Sequence, residues 1–140
     1  MPDEETSASG LEVLSEQRCR ELLATRDLGR LAFAGGGEFE IFPVNYAVDG
    51  STIIFRTAEN TRLMDALKTR VAFEVDEWNP TRGYAWSVVV KGVAEELTDA
   101  IDSAATALRR HQVVPLAPGR RERWIAVYPS RVTGRWFRLG

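Results

Sequence analysis

The sequence predicts a mainly β chain that closes into an antiparallel barrel. Three features predict it: short alternating segments recur along the chain, Gly35-Gly36-Gly37 and Asp49-Gly50 give tight turn signals, and the alternating helices of a doubly wound parallel sheet are missing. Counting segments gives about seven strands and three helices, arranged mostly as a meander. The chain has 140 residues, 44% hydrophobic and 27% charged, enough for one domain with its own core. That composition excludes disorder of the whole chain, and no run approaches the roughly 20 apolar residues of a membrane helix. The opening MPDEETSASG has acids where a secretory signal carries bases, so the cytoplasm is the expected compartment.

Residues 1–10 are expected to be a disordered acidic tail, and residues 11–140 a single domain. A helix then follows: Ser15 suits its N-cap, and Leu11, Leu14, Cys19, Leu22 and Leu23 fall on one stripe of a 3.6-residue period. Gly29 to Ala34 reads as a strand entering the glycine loop. No Lys-Ser/Thr and helix follow those glycines, so a hairpin is expected there rather than a phosphate loop. Phe39 to Val48 is the next strand, with Phe42, Val44, Tyr46 and Val48 on one face and Phe39, Ile41, Pro43, Asn45 and Ala47 on the other. After the Asp49-Gly50 turn, Ser51 to Thr57 pairs back.

Thr61 to Thr69 is a predicted short helix capped by Asn60 or Thr61, with Leu63, Ala66 and Leu67 inward. Val71 to Asp76 alternates as a strand, and Trp78 to Gly83 is a loop. Tyr84 to Leu97 is a long strand whose three consecutive valines imply burial on both faces. Thr98-Asp99 opens a helix to about Arg110, with Ile101, Ala104, Ala105 and Leu108 inward. Val114 to Gly119 is a loop. Trp124 to Tyr128 and Val132 to Leu139 are two closing strands joined by Pro129-Ser130.

Charge is unevenly spread. The net charge is −2, yet Arg109 to Arg138 holds eight arginines and one acid, Glu122. Such an end attracts anions or nucleic acid, but the charge of the whole chain argues against nucleic acid. One cysteine and one histidine allow neither an intramolecular disulfide nor a multi-cysteine metal site, and no metal is expected. Cys19, on an apolar stripe with no catalytic partner, reads as a structural thiol, and His111 as a solvated residue or a partner of a helix C-terminus. No nucleophile-and-base pair and no spaced carboxylate pair stand out. What does stand out is Phe55-Arg56-Thr57-Ala58-Glu59-Asn60-Thr61-Arg62-Leu63, which joins a strand end to a helix start. Arg56, Thr57, Thr61 and Arg62 are charged and hydroxyl donors suited to a dianionic phosphate. A second reading stands beside this one: the arginines pair with Glu59 and Asp65 at the surface.

Pro43-Val44-Asn45-Tyr46, Asp49-Gly50, Phe55-Arg56-Thr57, Thr61-Arg62-Leu63 and Trp86-Ser87-Val88-Val89-Val90-Lys91-Gly92 occur in a characteristic order. Together they resemble the pyridoxamine 5′-phosphate oxidase-like, FMN-binding split-barrel family, and within it the small bacterial nitroimidazole-resistance-like branch. The resemblance covers about residues 13 to 139. It implies an antiparallel split β-barrel with short flanking helices, which dimerises and holds FMN at the interface. It also implies that Pro43, Val44, Asn45 and Tyr46 run along the flavin ring, and that Arg56, Thr57, Thr61 and Arg62 hold the ribityl phosphate. Many members carry Lys where Arg62 stands. Ser87, beside Trp86, is implied to reach the cofactor from the long strand, often from the partner subunit. For Trp86 and Trp136, packing is the favoured role over ring stacking.

The chain departs from the true pyridoxamine phosphate oxidases, which are longer and carry an Arg-x-His element near the C-terminus. Here the end reads Arg135-Trp136-Phe137-Arg138-Leu139-Gly140. The expectation is an FMN-dependent oxidoreductase acting on an unidentified small molecule. The alternatives are a reductase using an 8-hydroxy-5-deazaflavin coenzyme and a flavin carrier or sensor without turnover. Haem, which would need His111, Cys19 or a tyrosine as axial ligand, is the least supported cofactor.

Overall fold

The computed structural model describes residues 5–6, 10–59, 61–113 and 123–140. Along the chain run β1 (Glu5–Thr6), β2 (Leu11–Val13), α1 (Glu16–Leu23), β3 (Leu28–Gly35), β4 (Glu38–Asn45), β5 (Ala47–Asp49) and β6 (Thr52–Thr57). A 3-10 turn (Arg62–Ala66), β7 (Arg70–Asn79), β8 (Tyr84–Glu96), α2 (Ser103–Leu108) and β9 (Arg123–Arg138) follow. Every strand pairing is antiparallel.

The sheet curls on itself. β4 pairs with β3, β3 with β7, β7 with β8, and β8 with β9. β9 also takes β6, which pairs with β5. Since β4 and β5 are one stretch of chain interrupted only at Tyr46, the circuit closes there as a barrel. Along β4 itself the only strand partner among the described residues is β3, so the barrel is split beside β4. Tyr46 holds the interruption in place. Its N–H donates to Asp27 O at 3.0 Å, its hydroxyl donates to Leu23 O at 2.5 Å, and its ring meets Phe73 edge-on at 5.0 Å.

Both expected hairpins form. Gly36 and Gly37 have φ of 61° and 83°, the paired left-handed conformation of a two-residue hairpin loop, and Gly50 has φ of 62° after β5. Phe42, Val44, Tyr46 and Val48 face the core, whereas Phe39 is 91% exposed on the opposite face. Ser15 caps α1, its hydroxyl accepting from Arg18 N at 3.1 Å. Leu11, however, belongs to β2, opposite Phe137, rather than to the helix stripe. Within the expected tail, Glu5–Thr6 pairs with β2.

Other elements differ from expectation. The helix after Thr98 is shorter: Asp102 is its cap, accepting from Ala105 N at 2.6 Å. Ile101 is therefore left 95% exposed outside the helix, and Ala104 also faces solvent, while Ala105 and Leu108 are buried as expected. The helix after Thr61 is a 3-10 turn ending at Ala66, with no side-chain cap from Thr61. β7 runs on to Asn79, so Trp78 is on a strand rather than in a loop. Asn60 and the Val114 to Gly119 loop lie outside the described residues.

The largest difference is at the C-terminus, where the two closing strands are one, β9, running straight through Pro129 and Ser130. Gly92 pairs with Pro129 and Lys91 with Arg131, so Ser130 is an extra residue bulged out of the ladder. A bulge reverses which face each later side chain takes. Before it, Ile125 and Val127 point into the barrel; after it, Val132 and Trp136 do, and Arg131, Thr133 and Arg135 point out. Apolar residues on the outer face of β6 and β9, Ile54 and Ala126, form a second small core with Leu97, Ala105, Leu108 and Val113. Two-sided burial thus explains the unbroken Ile53-Ile54-Phe55 run in β6.

The bulge requires glycine at position 92, where an added Cβ would run into the Tyr128 carbonyl and lie 3.2 Å from Pro129 Cα. Gly92→Ala is expected to lower the stability by about 2 kcal/mol, as overpacking against backbone does. Denaturant unfolding measures it, and a variant as stable as the parent would mean that the bulge is plastic.

Candidate functional site

At the end of β6 the chain places two hydroxyls together. Thr57 takes the inward side of the strand and is 3% exposed. Its Oγ1 lies 2.8 Å from Thr61 Oγ1, and the Thr61 hydroxyl also reaches Ala58 O at 3.2 Å. Thr61 and Arg62 then line an open pocket of about 410 Å³ with Glu59, Met64 and Asp65. Arg62 is well anchored. Its Nε and Nη2 donate to Glu40 Oε2 at 3.1 and 2.9 Å, Nη2 reaches Gly35 O at 3.3 Å, and Nη1 lies 3.2 Å from Asp65. The pairing of Arg62 with Asp65 thus forms, but Glu59 is taken by Arg123 at 2.8 Å.

Arg56 has different surroundings. It sits on the outer face of β6, directly opposite Trp124 in β9, with its guanidinium 5.0 Å from the indole centroid and Nη1 3.5 Å from Val113 O. The structure therefore joins Thr57, Thr61 and Arg62 around one end of β6, while Arg56 faces the second core. Successive strand residues point to opposite faces, which separates Arg56 from Thr57.

In the Pro43 to Tyr46 segment, Val44 and Tyr46 are core residues, 4% and 5% exposed, and burial pushes the Tyr46 phenol well above its usual range. Pro43 and Asn45 take the outer side, on the strand that borders the split in the barrel. Trp86 is inside the barrel, its Nε1 donating to Glu77 Oε1 at 2.9 Å, and that hydrogen bond is the largest influence holding the Glu77 carboxyl below its usual range. Trp136 stacks on Tyr84 at 4.6 Å, with Arg18 over its ring at 5.9 Å. Both tryptophans pack. Ser87 instead faces outward into a groove of about 540 Å³ with Lys91, Arg131, Thr133 and Arg135.

Burial pushes the Cys19 thiol up to about 11, and its sulfur lies 2.5 Å from where a Cβ on Gly134 would sit, so it acts as packing. His111 is at the surface, its Nε2 3.2 Å from Asp49 Oδ2. Among the described residues no three His, Cys, Asp or Glu side chains cluster as a metal site, and no helix is long and apolar enough to cross a membrane. The sequence reading missed the Glu40 anchor of Arg62 and the cations around Ser87. Those cations had a sequence signal in the alternation Arg131, Thr133, Arg135, visible only once the strand is known to continue past Pro129.

The split barrel and the sequence that builds it both have counterparts among known proteins. Residues 15–136 match the pyridoxamine 5′-phosphate oxidase family, and the chain belongs to that family. It is 40% identical over 94 residues to the uncharacterized protein Rv3129 of Mycobacterium tuberculosis, covering 66% of this chain and 82% of that one. Among solved structures, an FAD-binding protein from Mycobacterium smegmatis matches with a TM-score of 0.76 and 36% identity, over 91% of this chain and 98% of that one. An FAD-binding protein from Mesorhizobium loti matches with a TM-score of 0.72 and 26% identity, over 90% and 96%. The split-barrel architecture of these relatives is that of this chain.

One carboxylate near Ser87 departs from its ordinary titration. Glu74, opposite Val89 in β7, is raised from 4.5 to about 7, first by burial and then by Asp76, against the pull of Arg30. The folded state thus holds a proton that the unfolded chain releases near 4.5, so stability falls as pH rises through the window up to about 7. Glu74→Gln should remove that part of the pH dependence and leave the variant more stable than the parent at about pH 8. Melting curves across the window test it; parallel curves for the two proteins would contradict it.

Proposed function

We propose that this chain binds FMN and serves as a flavin-dependent oxidoreductase, with the cofactor held between two copies of the barrel. The observation that carries the reading is the Thr61 hydroxyl, paired with that of Thr57, on the same pocket as Arg62, at a strand end in a chain of this family. Two hydroxyls and a forked cation suit a phosphate group, each charge-assisted hydrogen bond contributing roughly 1.5–3 kcal/mol. The Glu40 bond aims the Arg62 side chain beforehand, and a phosphate would compete with Asp65 for its Nη1 edge.

The ring would lie along the outer side of Pro43 to Tyr46, where one edge of β4 has no strand partner among the described residues, with Ser87 approaching from the other copy. Val44 and Tyr46 support this wall from inside the core rather than by side-chain contact. Arg56 reaches a phosphate only by leaving Trp124, so Arg62 carries more of the phosphate binding. When bound, the flavin supplies hydride or electron transfer; the protein orients it, and no side chain here is assigned as acid or base.

Two of the similar structures are of FAD-binding proteins, which favours a second reading, in which the flavin is FAD. Mass spectrometry of whatever the purified protein releases on denaturation separates FMN, FAD and the deazaflavin coenzyme.

Titration of apo protein with FMN, followed by flavin fluorescence, should saturate. Arg62→Ala should weaken FMN by about 2 kcal/mol and riboflavin, which lacks the phosphate, far less. Equal losses for both ligands would mean that Arg62 shapes the β3–β4 hairpin and does not read a phosphate.

A further inference from the structure

We propose that the outer face of β8 and β9 carries a separate anion site, a basic groove that binds a ligand with two or more phosphate groups, such as a nucleoside diphosphate or a dinucleotide. The groove, about 540 Å³, runs over Gly134 and is lined by Lys91, Arg131 and Arg135 with the hydroxyls of Ser87 and Thr133. The bulge at Ser130 turns all three β9 side chains to this face. Lys91 and Arg131 are direct cross-strand partners, as are Ser87 and Arg135.

Like charges directly opposite one another destabilise a sheet. Among the described residues no carboxylate lines the groove, and none of its three cations makes an ion pair. Acids are close by, since Glu74 and Asp76 lie on β7 opposite Val89 and Ser87, but both are engaged at 3.4 Å by Arg30. A second groove of about 290 Å³ shares Lys91 and Arg131 and adds Arg70 and Ser130. In a chain of net charge −2 this row is a local feature, not a consequence of general basicity. From Ser87 to Lys91 the strand spans about 13 Å, longer than one phosphate and suited to a run of them. Arginine forks and hydroxyls supply the directional donors.

The site adjoins the proposed flavin position at Ser87, whose cross-strand partner is Arg135, but Lys91 and Arg131 lie farther along the strands, and the site stands without that reading. The test is calorimetric titration with inorganic tripolyphosphate, and with orthophosphate for comparison. Tripolyphosphate should saturate and bind at least about tenfold more tightly than orthophosphate. A Lys91→Ala, Arg131→Ala double variant should lose about tenfold or more in tripolyphosphate affinity, keep its FMN affinity, and melt no lower than the parent, since repulsion has been removed. Titrations with FAD and ADP separate the two sources: a loss confined to FAD assigns the phosphates to the flavin itself, and a loss for ADP assigns them to a second nucleotide. Absence of saturable tripolyphosphate binding by the parent, or full retention by the double variant, overturns the proposal. Failure to take up FMN with tripolyphosphate binding intact would count against the flavin reading alone.

Discussion

One extra residue in β9 governs what the last third of the barrel presents to its surroundings. Without the bulge at Ser130, the alternation that sends Ile125 and Val127 inward would send Arg131 and Arg135 into the core and Val132 and Trp136 into water. The bulge lets one continuous strand satisfy both halves of its sequence. It also lets β9 pair with β8 along its length, with β6 near its start and with β2 near its end. Gly92 makes this possible by admitting the Tyr128 carbonyl where any side chain would collide.

β6 meets a related demand by burying both faces. Its inward residues Ile53, Phe55 and Thr57 belong to the barrel, and its outward residues Ile54 and Arg56 to the small core under α2. The candidate phosphate site is a by-product of that division. Thr57 is the last inward residue, so its hydroxyl stays at the barrel end within reach of Thr61, while Arg56 stacks on Trp124. Arg62 arrives from the following turn and is steadied by Glu40 of β4, so elements far apart in sequence converge on one pocket.

Much of this was legible in the residues. Period-2 alternation placed Phe42, Val44, Tyr46 and Val48 inside and Phe39 outside, and glycines marked both hairpins, because these signals are local. The motif order from Pro43 to Gly92 pointed to the family. Pro129-Ser130 was misread as a strand break because proline punctuates strands more often than it sits at a bulge, and the compensating Gly92 lies on another strand. Ile101 looked like a helix face because its spacing to Ala105 and Leu108 is helical; Asp102, one residue later, caps the helix and excludes it. Adjacent Arg56 and Thr57 looked convergent, although strand geometry sets them on opposite faces. The Glu40 bond to Arg62 and the placing of Lys91 opposite Arg131 depend on contacts between elements far apart in sequence, which no local pattern carries.

For the proposed flavin site a single barrel offers separate parts: the β6 end with Thr61 and Arg62, the edge of β4 that has no strand partner among the described residues, and an outward Ser87 on the far strands. A second copy would bring those parts onto one cofactor, and two-fold symmetry would make two equal sites. Light scattering with simultaneous flavin absorbance, on the flavin-loaded protein at low micromolar concentration, tests this most directly. The account predicts about twice the 15.7 kDa chain mass with one flavin per chain. A species of single-chain mass that keeps a full complement of flavin would contradict it.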